Sequence, residues 1–98
     1  MSLLSPAEIQ MQLGVLPGWV VVGDRLERQF IFNDFVAAID FVNRLVEPAE
    51  RAAHHPDLRI SYNKVTVQLT THDAGGLTAK DFALAKVVSG FKLPGQSN

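Results

Sequence analysis

The residues of this chain best suited to chemistry lie close together. Its three histidines are His54, His55 and His72, the first two adjacent and followed by Pro56. Glu50, Tyr62 and Asp81 stand at intervals around them. Histidine is the one side chain whose unperturbed pKa lies near neutrality, so imidazole is the usual proton carrier of an active site. A short chain that gathers all its histidines near carboxylates and a proline is arranged for acid–base proton transfer.

The elements that must position these residues follow from local patterns. Ser5-Pro6-Ala7-Glu8 has the form of a helix start, with Ser5 as N-cap, Pro6 at the first helical position and Glu8 closing a capping box. That helix is expected to run to about Leu13, where Gly14 and Pro17-Gly18 break it. Trp19 to Val22 and Leu26 to Phe32 are β-rich runs around a turn at Gly23-Asp24, a hairpin pattern. Asn33-Asp34 can cap a long helix whose apolar stripe is Phe35, Ile39, Val42 and Val46, widened by Phe41 and Leu45. Pro48 predicts a kink or break in that helix, because its ring clashes with the preceding turn. Pro56 holds His55 extended, so the helix should end near His54 and leave the histidine pair at a helix-to-strand junction.

A second hairpin spans Leu58 to Thr71. Leu58, Ile60 and Tyr62 alternate along one strand and Val65, Val67 and Leu69 along the other, with the turn expected at Asn63-Lys64. His72 is in phase with Thr66, Gln68 and Thr70, which predicts that it leaves the strand on the polar face. Thr78-Ala79-Lys80-Asp81 then opens a last helix, with Leu84, Val87, Val88 and Phe91 as its stripe. The order helix, hairpin, long helix, hairpin, helix predicts an α+β two-layer sandwich. Its four-stranded antiparallel sheet carries the helices on one face. One domain over residues 1–98 accounts for the whole chain, apart from a short tail at Gln96 to Asn98.

Composition narrows the function classes. The hydrophobic fraction of 47% and charged fraction of 19% are those of an ordinary globular protein. A net charge of −1 with no basic run gives nucleic acid no footing. With no cysteine, disulfides, thiolate catalysis and sulfur-bound zinc are excluded. The opening Met-Ser-Leu-Leu-Ser-Pro lacks the features of a signal peptide, and no apolar run approaches membrane-spanning length. A cytoplasmic protein is the expectation.

Each candidate residue has a structural reading beside the chemical one. His54 and His55 suit a helix C-terminus, where positive charge is favourable. Asp81 suits the capping box of the last helix, its carboxylate on the amide of Thr78. Glu50 could pair with Arg51 in solvent, and Tyr62 could serve the hairpin as an ordinary aromatic. Three histidines and a carboxylate could also hold zinc or iron, but adjacent histidines are not the separated ligand spacing such sites use. A serine nucleophile has no elbow motif here, and no glycine-rich phosphate loop is present.

Taken together, Glu50, His54-His55-Pro56, Tyr62, His72 and Asp81 resemble, interval for interval, the pterin-4a-carbinolamine dehydratase family. Phe32-Asn33-Asp34-Phe35, Tyr62-Asn63-Lys64-Val65 and Thr71-His72-Asp73 are similar to family members as well, so the likeness runs from about Leu3 to Phe91. The resemblance implies dehydration of a 4a-hydroxytetrahydropterin to the quinonoid dihydropterin, with no metal or organic cofactor. It implies that His54, His55 and His72 share the acid and base roles, and that Glu50, Thr71 and Asp81 serve substrate binding or orient the imidazoles. It implies a homodimer or homotetramer, and an alternative role as a non-catalytic module that binds a transcription factor. Leu58, Ala53, Lys80 and Pro48 depart from residues common in the family.

Overall fold

The computed structural model describes residues 2–91, so the tail at Gln96 to Asn98 lies outside the described residues. Helix α1 spans Pro6–Leu13, strand β1 Val20–Val22, strand β2 Arg25–Ile31 and helix α2 Phe35–Ala52. Strand β3 covers Asp57–Ser61, strand β4 Lys64–Leu69, a 3-10 turn His72–Ala74 and helix α3 Ala79–Ser89. The four strands form one antiparallel sheet in the order β1-β2-β4-β3, giving the expected α+β sandwich.

Period-two alternation sorts the sheet. Leu26 faces Leu69, Arg28 faces Val67 and Phe30 faces Val65 across β2 and β4, so these residues share the helix-covered side. Glu27, Gln29, Thr66 and Gln68 take the opposite, polar side, where Gln68 Nε2 donates to Glu27 Oε1 at 2.6 Å. Phe41 of α2 joins the layers, its ring centroid 4.6 Å from that of Phe30 and 5.1 Å from that of Phe32. Phe82, Leu84, Ala85 and Val88 bring α3 into the same core. Each buried Phe, Leu or Val side chain contributes about 1.5–3 kcal/mol on leaving water, which outweighs the weak intrinsic preference of any one segment. Arg28 is a charged residue on the core side of the sheet. Its guanidinium lies 4.3 Å over the Phe30 ring, and burial lowers its pKa below the usual arginine range.

Local capping matches the sequence pattern closely. Ser5 and Glu8 form a complete capping box on α1, Asp34 Oδ1 accepts from the Ala37 amide at 2.8 Å, and Thr78 and Asp81 form a second box on α3. Five expectations need correction. Val87, expected in the α3 stripe, is exposed, and Phe82 and Ala85 are buried beside Leu84 and Val88 instead. Helix α2 runs unbroken through Pro48, because packing of Leu45 and Ala49 on either side holds the turn whose hydrogen bond proline removes. The buried stripe of α2 is Ala38, Phe41, Leu45 and Ala49; Phe35 and Val46 stay exposed. Phe41 packs on Phe30 and Phe32 of the sheet and so fixes which side of α2 faces the core. The β3–β4 turn falls one residue early, at Tyr62-Asn63, with the positive φ on Tyr62 at 53°. Asn63 instead holds Phe32, accepting from its amide and donating from Nδ2 to its carbonyl. Finally, β4 ends at Leu69, so strand phasing does not reach His72.

Candidate active site

Three chain ends converge at one edge of the sandwich: the C-terminus of α2, the exit of β4 and the first turn of α3. Helix α2 closes on Ala53, a non-glycine residue in the left-handed region at φ 49° and ψ 42°. The Ala53 amide donates to the Glu50 carbonyl at 3.1 Å and the His54 amide to the Ala49 carbonyl at 3.0 Å, the paired bonds of a Schellman motif. That reversal turns His54 back under the helix end. Pro56 then sends the chain into β3, leaving His55 outside.

After β4, Thr71 pairs with Gly76 across a small loop closed by the 3-10 turn. Gly75 makes that closure with φ 76°, a conformation that suits a residue without Cβ. The loop holds Thr71 inward, buried, and lifts His72 to the surface.

The two adjacent histidines meet two different carboxylates. His54 is 8% exposed, and its Nε2 is hydrogen-bonded to Oδ1 of the fully buried Asp81 at 2.6 Å. Asp81 Oδ2 accepts from the Thr71 hydroxyl at 2.8 Å and from the Thr78 amide at 2.9 Å. One carboxylate therefore caps α3, fixes Thr71 and orients His54. The structural and chemical readings of Asp81 coexist because its two oxygens divide them. His55 Nε2 lies 2.5 Å from Glu50 Oε2, with both side chains more than 60% exposed. Each pairing anchors Nε2, so Nδ1 remains the ring atom able to exchange a proton. Among the described residues no buried side-chain nitrogen or oxygen lacks a partner, and none bonds His54 Nδ1. The His72 carbonyl accepts from the Gly75 amide at 3.1 Å, while its imidazole makes no side-chain hydrogen bond among the described residues.

His54, His55, Thr71 and His72 line one cleft of about 350 Å³, with Lys80 on its rim. That volume lies at the small end of ligand pockets. Two sequence-singled residues stand elsewhere. Glu50 lines a separate apolar groove between α2 and β3, touching the cleft only through His55. Tyr62 is 66% exposed at the hairpin tip and takes no part in the cleft. Thr70 and Lys80 are lining residues that histidine-centred reading did not raise as site residues; Lys80 was marked only as a departure. Their signal in the sequence was adjacency to Thr71 and Asp81. Among the described residues no group of three His, Asp or Glu side chains forms a metal-ligand set.

The chain is thus a small α+β sandwich, a four-stranded antiparallel sheet under helices, with three histidines lining one cleft. The profile of the pterin 4 alpha carbinolamine dehydratase family matches residues 2–91, and the chain belongs to that family. A protein of Thermosynechococcus vestitus bearing the same family name is 67% identical over 86 residues, covering 88% of this chain and 90% of that protein. A crystal structure of a transcriptional coactivator/pterin dehydratase from Brucella melitensis superposes with a TM-score of 0.85 at 34% identity, covering 89% of this chain and 95% of the other. A pterin dehydratase-like RuBisCO assembly factor of the alpha-carboxysome shares the fold, with a TM-score of 0.60 at 19% identity, covering 72% and 82%.

Proposed function

We propose that this chain is a cytoplasmic, single-domain hydro-lyase that removes water from 4a-hydroxytetrahydropterin to give quinonoid dihydropterin in tetrahydropterin recycling. The observation that carries the reading is the cleft itself, where three imidazoles and Thr71 face one small volume. In the reaction the C4a–O bond breaks, a proton joins the leaving hydroxyl to make water, and N5 gives up its proton as the C4a–N5 double bond forms. Imidazoles whose ordinary pKa is near neutrality can supply the first proton and take the second. His54, His55 and His72 share these roles. Asp81 acts as a positioning residue, since it has no exposed surface and holds His54. Glu50 orients His55, and Thr71 lines the pterin edge. The chemistry asks for neither a metal nor an organic cofactor.

The test is a dehydration assay on freshly generated 4a-hydroxytetrahydropterin, with and without chelator. Turnover that survives the chelator and falls about 10²-fold in His55→Ala and in His72→Ala is the expected result, the usual scale of an acid–base contribution. Wild-type rates in both variants would sink the catalytic assignment.

Self-association as a homodimer or homotetramer is part of the proposal, supported by an uncovered apolar face. Phe35 and Val46 of α2 and Leu58 and Ile60 of the edge strand β3 are each 38% exposed or more. Such a face marks an interaction surface more often than bare solvent exposure. Light scattering should report a mass at least twice that of the 98-residue chain. The same face supports a second reading, a non-catalytic binding module such as a transcription-factor dimerisation partner; coactivator is part of the Brucella protein's own designation. A stable hetero-complex indifferent to all three histidine substitutions, with no dehydration by wild-type protein, would favour that module over the enzyme.

A further inference from the structure

The 350 Å³ histidine cleft is at the small end of ligand pockets and open at its sides, so a long substituent on a ring bound there extends beyond it. Lys80 marks one exit. It lines the cleft and also a second hollow of about 330 Å³ between α2 and α3, whose floor is Pro48, Ala52, Ala83, Leu84 and Val87. The hollow is apolar below and cationic at its margin. Arg51 stands on that margin, and beyond Pro48 and Val87 the depression continues to Arg44. Three cations thus border this track, the two hollows beyond the cleft, against one carboxylate, Glu47, which pairs with Arg51, while Asp57 and Asp73 line the cleft itself. Lys80 forms no ion pair among the described residues.

We infer that this track seats the 6-substituent of the pterin, and that the preferred substrates carry an aromatic ring followed by one or more carboxylates rather than a short neutral chain. The inference rests on the pterin reading of the cleft. The aromatic ring covers the floor between Pro48 and Val87, removing apolar surface from water. The carboxylates then meet Lys80, Arg51 and Arg44, with attraction that salt screens because these groups are near the surface.

The experiment is calorimetric titration of the full chain with two stable, non-reacting ligands, pteroylglutamate and 6-hydroxymethylpterin. The tailed ligand is expected to bind about 5-fold tighter or more at low salt, from one or two screened ion pairs and the covered floor. Lys80→Ala and Ala83→Trp should each bring the ratio of the two dissociation constants towards one, and 0.5 M salt should shrink it. Ala83 is exposed, so the tryptophan fills the hollow without entering the core. Equal affinity for both ligands overturns the inference and leaves the dehydratase reading standing. A preference that survives both substitutions overturns it too, because the tail then lies elsewhere. Binding of neither ligand, with no dehydration of a 4a-hydroxy-6-methyltetrahydropterin, overturns the inference and the proposed function together.

Discussion

His54 and His55 are neighbours in the chain, and each bonds a carboxylate through Nε2, yet their surroundings are opposite. His54–Asp81 is enclosed, with Asp81 wholly buried and its second oxygen held by Thr71 and Thr78. His55–Glu50 lies in solvent, spanning the end of α2 to the start of the loop. In the enclosed pair, loss of either partner strands polar groups away from water. In the open pair, water replaces whichever partner is removed. The difference teaches that identical pairings can do different work: the buried one ties α3 to the end of α2, and the exposed one holds a side chain at the surface.

The sharpest way to break that comparison is a pair of double-mutant cycles read by urea denaturation. Asp81→Ala is expected to cost about 3 kcal/mol or more, with a coupling energy to His54→Ala above about 1 kcal/mol. Glu50→Ala and His55→Ala should each cost under about 0.5 kcal/mol, with coupling within error. Similar couplings for the two pairs would erase the distinction.

Activity should run the other way. Glu50→Gln is expected to slow dehydration about 10-fold with the urea midpoint unmoved, because it releases the orientation of His55 but nothing in the fold. A parallel loss of stability and rate would make Glu50 structural.

Ala53 offers a finer test, since its left-handed backbone sets the reversal that separates the two histidines. Ala53→Gly should raise stability by up to about 1 kcal/mol, as glycine takes that conformation without the Cβ penalty. A destabilised variant would mean that the Ala53 methyl is itself packed.

The smallest effect concerns Glu8, an exposed carboxylate tied to backbone and not to an imidazole. The Ser5 amide donates to its carboxylate at 2.8 Å and, with the Ser5 side chain beside it, lowers its pKa below the ordinary 4.5, while the Glu8 amide donates to Ser5 Oγ. The folded-state value is the depressed one, so the capping box contributes stability above the ordinary glutamate range and loses it as pH falls through the folded value. An NMR titration should place the Glu8 midpoint below 4.5 in wild type and nearer to it in Ser5→Ala.

Much of the fold was legible because its signals are local. Capping boxes at Ser5 and Thr78, the Asp34 cap and the Gly23-Asp24 turn depend on residues within three or four positions, and the structure has them all. Legibility failed where two local solutions compete. Helix α2 has two apolar stripes, and only the sheet beneath it selects Phe41 and Leu45 over Phe35 and Val46. Asn63 looked like the residue to take positive φ, but a long-range pairing with Phe32 claims it and passes the strain to Tyr62.

The sequence by itself determined the family, since the histidines, carboxylates and their intervals are written in the chain. It also determined where each helix begins, because a cap is a contact between near neighbours. Only the tertiary structure decided which carboxylate each histidine meets. Asp81 lies 27 positions beyond His54, and nothing short of folding α3 against the end of α2 could seal that pair from water. The same packing left His55 and Glu50 outside, where solvent keeps their bond weak and their imidazole within reach of the cleft.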